Sequence, residues 1–465
     1  VTNESDTEAT GVSVKSTVYN KESDVISTQT DDITVAAGKT ETISQSVDVA
    51  NQKLWSVDSP NLYWVRTEII QNGKVVDRTD SRFGIRYIAT NPNSGFYLNG
   101  VHTKLNGVCE HSDLGSLGME TYQAAVDRRI RTLKKYGVNA IRTSHNPVSP
   151  EFIEACDRLG MLVFEEAFDQ WLYSKNSDDY HNYFNKAGND NTNNDTSYIE
   201  VKREDLQSNA ERDIKAMVDR DKNAPCIFAW STGNEIYDAR YKHGENTLDM
   251  LTGWIKEIDT TRPVAACPPT WDNYWANNAQ QEKHLAKAEM SGFNYATGQY
   301  DGAHSRYPNM VIFGSETVSA YYYRGVYFLE GEGSGDRCNE YPTYWTFSSA
   351  TASLEAHRDK TYTAGEFVWT GHDYLGEPTP RSWPSKSSYF GMIDTAGFAK
   401  DVVYMYKSMW TDTPTVHLLP QKWNFKAGQK VPVYIYTNAK SVELFLNGKS
   451  LGIKNYDKQT ASPVY

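Results

Sequence analysis

The stretch Cys226-Ile227-Phe228-Ala229-Trp230-Ser231-Thr232-Gly233-Asn234-Glu235 decides the architecture. Its first half is an apolar run too short for a helix, and Thr-Gly-Asn breaks it, so it reads as a strand buried on both faces. It supplies strand 227–230, and seven other segments share its texture: 104–108, 140–143, 162–165, 264–266, 290–293, 311–314 and 366–369. Helical patterns lie between them. Val126, Ile130 and Leu133 repeat at helical spacing, and Ser149-Pro150 offers an N-cap followed by proline, with Gly160 to close the helix. Parallel neighbours need such crossovers, and eight strands close a cylinder, so residues 89–414 are expected to form a (β/α)8 TIM barrel. A doubly wound open sheet is the runner-up, but no G-x-G-x-x-G joins an early strand to a helix.

The flanks read differently. Residues 1–88 alternate with period two and are rich in β-branched residues, as in Val12, Val14, Thr17 and Tyr19 and again over 62–70. Gln71-Asn72-Gly73-Lys74 is a hairpin signal, because Asn-Gly accepts the positive φ of a type I′ turn. An immunoglobulin-like β-sandwich is expected there. Alternation returns at 431–436 and 442–446, with an Asn447-Gly448 turn. Residues 415–465 therefore read as a second β-sandwich cut short, and the chain as a fragment of a longer protein.

Composition narrows the function. The chain has 465 residues, with 47 Lys+Arg against 59 Asp+Glu and a net charge of −12. No basic stripe is present to meet a phosphate backbone, so no nucleic-acid partner is expected. Mean hydropathy is −0.63, and no apolar run reaches the roughly 18 residues of a transmembrane helix, so no membrane partner is expected either. Cys109, Cys156, Cys226, Cys267 and Cys338 are odd in number and lack C-x-x-C spacing, which reads as buried thiols rather than a disulfide framework or zinc site. Twelve Trp and 31 Tyr are a heavy aromatic load; such rings fill cores first, and they also wall sugar sites.

In a (β/α)8 barrel the reacting groups sit at C-terminal strand ends. Glu235 follows the fourth strand, and Glu316 follows the seventh in Phe313-Gly314-Ser315-Glu316. Two carboxyl groups in one barrel mouth are what glycosidic cleavage needs: an acid for the leaving oxygen and a second group for the oxocarbenium-like carbon. Their environments must differ. An apolar wall and a nearby like charge keep one protonated near neutral pH, while hydrogen-bond donors hold the other ionised.

Phe83-Gly84-Ile85-Arg86, Arg142-Thr143-Ser144-His145-Asn146-Pro147, Trp230-Ser231-Thr232-Gly233-Asn234-Glu235 and Phe313-Gly314-Ser315-Glu316 resemble glycoside hydrolase family 2. Gly365-Glu366-Phe367-Val368-Trp369-Thr370-Gly371 and Ser388-Tyr389-Phe390-Gly391 look like its bacterial β-galactosidase branch. The resemblance implies that Glu235 is the acid/base and Glu316 the nucleophile, and that Asn234 bonds the sugar 2-hydroxyl. It gives Arg142 and Tyr295 the task of holding a carboxylate ionised, and His111 and His145 contacts to the sugar. Trp369 would stack on the pyranose and Asp169 bind a hydroxyl, with Glu165 and Glu166 in support.

Departures from the family pattern also count. The jelly-roll domain that usually precedes the sandwich is missing, and residues 371–398 contain no Asn, where glucuronidases of the family carry an Asn-x-Lys pair. The expected activity is thus a retaining exo-hydrolase of terminal β-D-galactosides acting on an oligosaccharide or glycoside, without a cofactor or catalytic metal. A β-mannosidase, a β-glucuronidase and a non-catalytic carbohydrate-binding fragment remain as alternatives. A homo-oligomer is compatible with the sequence, and a periplasmic or cell-envelope location in a bacterium is favoured by analogy.

Overall fold

In the computed structural model the described residues are 1–171, 207–270, 279–327, 340–341, 349–423 and 425–463. The chain opens with β1 (Ala9–Tyr19), β2 (Val25–Val35), β3 (Tyr63–Gln71) and β4 (Lys74–Phe83), which pair antiparallel in the order β2-β1-β3-β4. The Asn-Gly signal falls where it was expected. Gln71 pairs with Lys74, and Asn72 and Gly73 take φ of 51° and 77°. A small sheet of β5 (Ile88–Asn91), β6 (Gly95–Leu98) and β7 (Val101–His102) leads into the barrel.

All eight apolar runs become barrel strands: β8 (Leu105–Glu110), β9 (Ala140–Thr143), β10 (Leu162–Glu166), β11 (Ile227–Asn234), β12 (Val264–Cys267), β13 (Met290–Asn294), β14 (Ile312–Val318) and β15 (Gly365–Trp369). They close in sequence order, with β15 pairing in parallel to β8. Helix Gln123–Lys135 buries Val126, Ile130 and Leu133 as its spacing requires. Helix Pro150–Leu159 is capped by the Ser149 hydroxyl, which accepts from the Phe152 amide, and Gly160 ends it at φ 71°.

Phe164 and Phe313 come from strands that are not neighbours, yet their rings meet at 5.4 Å, so they lie inside the barrel. Phe228 and Phe367 join them, the two rings stacked 6.3 Å apart. This aromatic plug fills the cylinder and floors whatever binds above it. Two residues beyond it, Glu166 and Trp369 point the same way, following the period of a strand. Register shifts in β11 between Ser231 and Asn234, in β13 between Gly292 and Asn294, and in β14 between Gly314 and Thr317 break that period near the strand ends.

The N-terminal sheet is latched to the barrel from below. Arg86 donates to the Pro225 carbonyl at 2.8 Å and to the Ile227 carbonyl at 2.6 Å, and burial pulls its guanidinium pKa down to about 9. Arg82 pairs with Asp157 at 2.9 Å, and the Trp55 indole donates to the Asp157 carbonyl. After the barrel come β16 (Val416–Leu419), β17 (Tyr434–Thr437), β18 (Ser441–Leu446) and β19 (Lys449–Asn455), forming two separate antiparallel pairs. Asn447 and Gly448 turn the second pair with φ of 50° and 80°. Cys109, Cys156, Cys226 and Cys267 are buried free thiols, while Cys338 lies outside the described residues. Among the described residues no helix is long and apolar enough to cross a membrane.

Candidate active site

The strand ends of β10, β11 and β14 converge on one buried guanidinium. Arg142, at the end region of β9 and fully buried, grips Glu166 through Nε and Nη2 at 2.9–3.1 Å. Its Nη1 donates to Glu316 Oε2 at 2.9 Å and to the Ser315 carbonyl at 3.1 Å, and Nη2 also reaches Asn234 Oδ1 at 2.8 Å. Burial disfavours the charge, but Glu166 and Glu316 outweigh it and hold Arg142 fully protonated.

Glu316 accepts a second bond on its other oxygen, from the Tyr295 hydroxyl. The Tyr295 amide also donates to the Glu316 carbonyl at 2.8 Å, so the two residues are tied through backbone and side chain. Burial and the charges of Glu316 and Glu235 push the Tyr295 pKa well up, which keeps it a donor. Glu316 is 5% exposed, and its pKa is raised to about 7. Burial is the main cause and Glu235 adds to it, against the pull of Arg142 and Tyr295. The donors are the ones expected to keep this carboxylate ionised, but one guanidinium shared between two carboxylates does not overcome the desolvation.

Glu235 sits one residue past β11 with φ 44°, and Tyr295 one residue past β13 with φ 52°. Left-handed backbone at two non-glycine residues of one site is uncommon, and it turns both side chains out of the strand period into the mouth. Asn294 donates to Glu235 Oε1 at 3.2 Å, and Asn294 Oδ1 accepts from the Ser315 hydroxyl at 2.6 Å. Asn234 passes its Nδ2 to Asp169 Oδ1 at 3.1 Å.

Rings make the opposite wall. His145 lies parallel to Trp369 with centroids 5.4 Å apart, and His145 Nδ1 contacts Glu166 Oε1 at 2.7 Å. His111 meets Trp369 edge-on at 5.3 Å and Tyr374 at 4.2 Å, and burial lowers its pKa, favouring the neutral ring. Between walls and floor is an open cleft of about 1220 Å³. Of the nine expected site residues, His111, His145, Asp169, Asn234, Glu235, Tyr295, Glu316 and Trp369 line it, and Arg142 lies beneath.

The sequence reading passed over Asn294, Tyr374 and Glu377. Asn294 stands directly before Tyr295 at a strand end, which was the available signal. Tyr374 and Glu377 come from the loop after β15, where no periodicity points. Glu377 on the rim accepts the Tyr374 hydroxyl; desolvation and the charge of Glu235 push its carboxyl up. Glu165 departs from its expected supporting role. It alternates with Glu166 along β10, so it faces outward to Arg220 at 3.2 Å and shares that pocket with Asp221. Among the described residues no group of three or more His, Cys, Asp or Glu side chains is placed to hold a metal ion.

Two family models match the chain: "Glycosyl hydrolases family 2" over residues 1–86 and "Glycosyl hydrolases family 2, TIM barrel domain" over 90–311. Residues 428–464 match a domain of unknown function, DUF4982. The chain is 34% identical to the beta-galactosidase BoGH2A of Bacteroides ovatus, over 98% of this chain and 56% of that protein. It is 22% identical to a beta-glucuronidase of Bacteroides fragilis, over 89% of this chain and 58% of that protein. The crystal structure of a beta-glycosidase from Bacteroides vulgatus superposes with a TM-score of 0.78 at 29% identity, covering 99% of this chain and 57% of that one. The chain thus spans little more than half the length of these relatives.

Proposed function

This chain belongs to glycosyl hydrolase family 2, and from that premise we propose that it removes terminal β-D-galactosyl units by double displacement with retention of configuration. In the first step Glu316 attacks the anomeric carbon while Glu235 gives a proton to the departing glycosidic oxygen. In the second, Glu235 takes a proton from water, whose oxygen attacks the anomeric carbon and releases Glu316. The observation that carries this reading is that the two glutamates leave β11 and β14 into one cleft, with Glu316 gripped on both oxygens and Glu235 close enough for its charge to raise the Glu316 pKa.

Arg142 and Tyr295 fix the attacking carboxylate, so little reorganisation accompanies bond formation. Asn234, oriented by Arg142 and Asp169, offers its amide where a 2-hydroxyl would approach. Trp369 presents a flat face to the pyranose, and His111 and His145 bring polar edges to its hydroxyls. A galactoside is favoured over a glucuronide because the described residues lining the cleft include Asp169, Glu235, Glu316 and Glu377 and no Lys or Arg. A uronate carboxylate would enter among like charges without a counter-ion.

The test is hydrolysis of nitrophenyl β-galactoside, glucoside, mannoside and glucuronide. Release from the galactoside is expected, with Glu316→Gln abolishing turnover while leaving the thermal transition in place. Normal turnover by that variant, or preference for the glucuronide, refutes the assignment.

A further inference from the structure

The wall of the catalytic cleft continues outward as a second, smaller site. Past the end of β14, Tyr321 lines the cleft, Tyr322 is buried behind it, and Tyr323 lies beyond. Residues 389 and 390 repeat the pattern from the facing strand of chain. Tyr321 and Phe390 meet at 5.0 Å as the inner pair of rings, and Tyr323 and Tyr389 meet at 5.3 Å as the outer pair. The outer pair borders a separate open recess of about 890 Å³, into which Arg381 projects.

The base of this recess is tied together by hydrogen bonds. The Tyr322 amide donates to the Tyr389 carbonyl at 2.8 Å. Lys400, 2% exposed, donates to the carbonyls of Tyr322 and Tyr389 while pairing with Asp373. Ser385 and Tyr389 share a hydroxyl hydrogen bond of 2.8 Å. On this base the Arg381 guanidinium carbon stands 5.7 Å from the Tyr323 ring and 6.0 Å from the Tyr389 ring.

Arg381 has no carboxylate or carbonyl partner for its side chain among the described residues, and its Nε is buried without a hydrogen bond. A guanidinium held by ring faces keeps its in-plane donors directed outward, and paired N–H groups fit the two oxygens of a carboxylate or sulfate. A second anion deeper in would meet the carboxylates of the catalytic cleft, so the charge pattern sets a register: neutral sugar inside, anionic group one step outside.

We propose that Arg381, between Tyr323 and Tyr389, is a subsite for an anionic group, a carboxylate or sulfate ester, on the sugar that adjoins the terminal one. The proposal rests on the glycosidase reading for its direction along the glycan, and its test does not depend on turnover. The whole chain carrying Glu316→Gln is titrated calorimetrically with lactose, with lactobionate, and with lactose sulfated on its glucose unit. The same probes are then applied with Arg381→Gln added. Both anionic probes, or the one whose oxygens reach, bind roughly tenfold or more tighter than lactose; high salt and Arg381→Gln both erase the preference, and lactose binding is unchanged. Equal binding of all three probes, failure of both anionic probes to bind, or a preference that survives Arg381→Gln overturns the proposal. A chain that shows the preference but releases nitrophenol from no glycoside overturns the hydrolase reading and supports the anionic subsite.

Discussion

Tyr295→Phe is the most direct probe of the proposed nucleophile. The substitution keeps the ring and removes one atom, the hydroxyl that donates to Glu316 Oε1, while Arg142 retains its bond to Oε2. A hydrogen bond to a charged acceptor contributes about 1.5–3 kcal/mol. If that donor orients and stabilises the attacking carboxylate, its loss lowers kcat by roughly 10- to 150-fold, at about 1.36 kcal/mol for each factor of ten. The sign of the pH effect follows from the same bond. The hydroxyl pulls the Glu316 pKa down against burial, and the result is about 7. Without it the pKa rises, the carboxylate forms only at higher pH, and the acid limb of the rate profile moves up. The assay is nitrophenyl galactoside hydrolysis across neutral pH, with thermal denaturation to show that the fold persists. An acid limb that stays in place, with kcat within roughly twofold of the parent, would mean that the hydroxyl does not act on Glu316.

Other outcomes follow from the same network and from groups outside it. Arg142→Met leaves Glu166 and Glu316 buried without their cation, and denaturant titration should show a loss of about 3–5 kcal/mol, with activity lost as well; a change under about 1 kcal/mol would contradict the burial described. Glu235→Gln should stop hydrolysis of substrates with poor leaving groups, while azide restores turnover of a dinitrophenyl galactoside; no response to azide would count against the acid/base role. Glu366→Gln tests a buried carboxyl away from the cleft, which is raised by burial from 4.5 to about 7 although Ser353 and Thr317 donate to it. Between those pH values the folded chain holds a proton that the unfolded chain has released, so this group's contribution to stability falls as pH rises. The amide removes that loss, and the variant should gain up to about 3 kcal/mol over the parent at mildly alkaline pH and little in acid; equal melting curves at both pH values would refute it.

The barrel was legible because parallel strands covered on both faces must be apolar throughout, and eight such runs separated by helical patterns leave few arrangements. The Asn72-Gly73 and Asn447-Gly448 turns were legible for a local reason, since each needs positive φ at both residues. The glutamates could be placed at strand ends but not aimed. Register shifts in β11 and β14 and the left-handed backbone at Glu235 uncouple side-chain direction from the two-residue period. Glu165 and Glu166 show the converse, since in regular β10 adjacent acids must part company, one to Arg142 beneath the cleft and one to Arg220. The upward shift at Glu316 depends on how many carboxylates share Arg142 and on how deeply all are buried, which are distances in space. Tyr374, Glu377 and Arg381 come from a loop whose pairing, Gly376 to Lys386 and Tyr374 to Ser388, has no counterpart in hydrophobic pattern.

The seat of Arg86 beneath β11 has a practical side. Its two donors occupy the Pro225 and Ile227 carbonyls at the foot of the strand whose far end carries Glu235. Trimming away the leading sheet together with that arginine would strip the Pro225 carbonyl of its donor, leave the Ile227 carbonyl to Arg262 alone, and loosen the strand that carries Glu235, the proposed acid, from the opposite end of the cylinder. Anyone transplanting this barrel has to bring the arginine along, because the apparent boundary between the two modules runs through a shared joint.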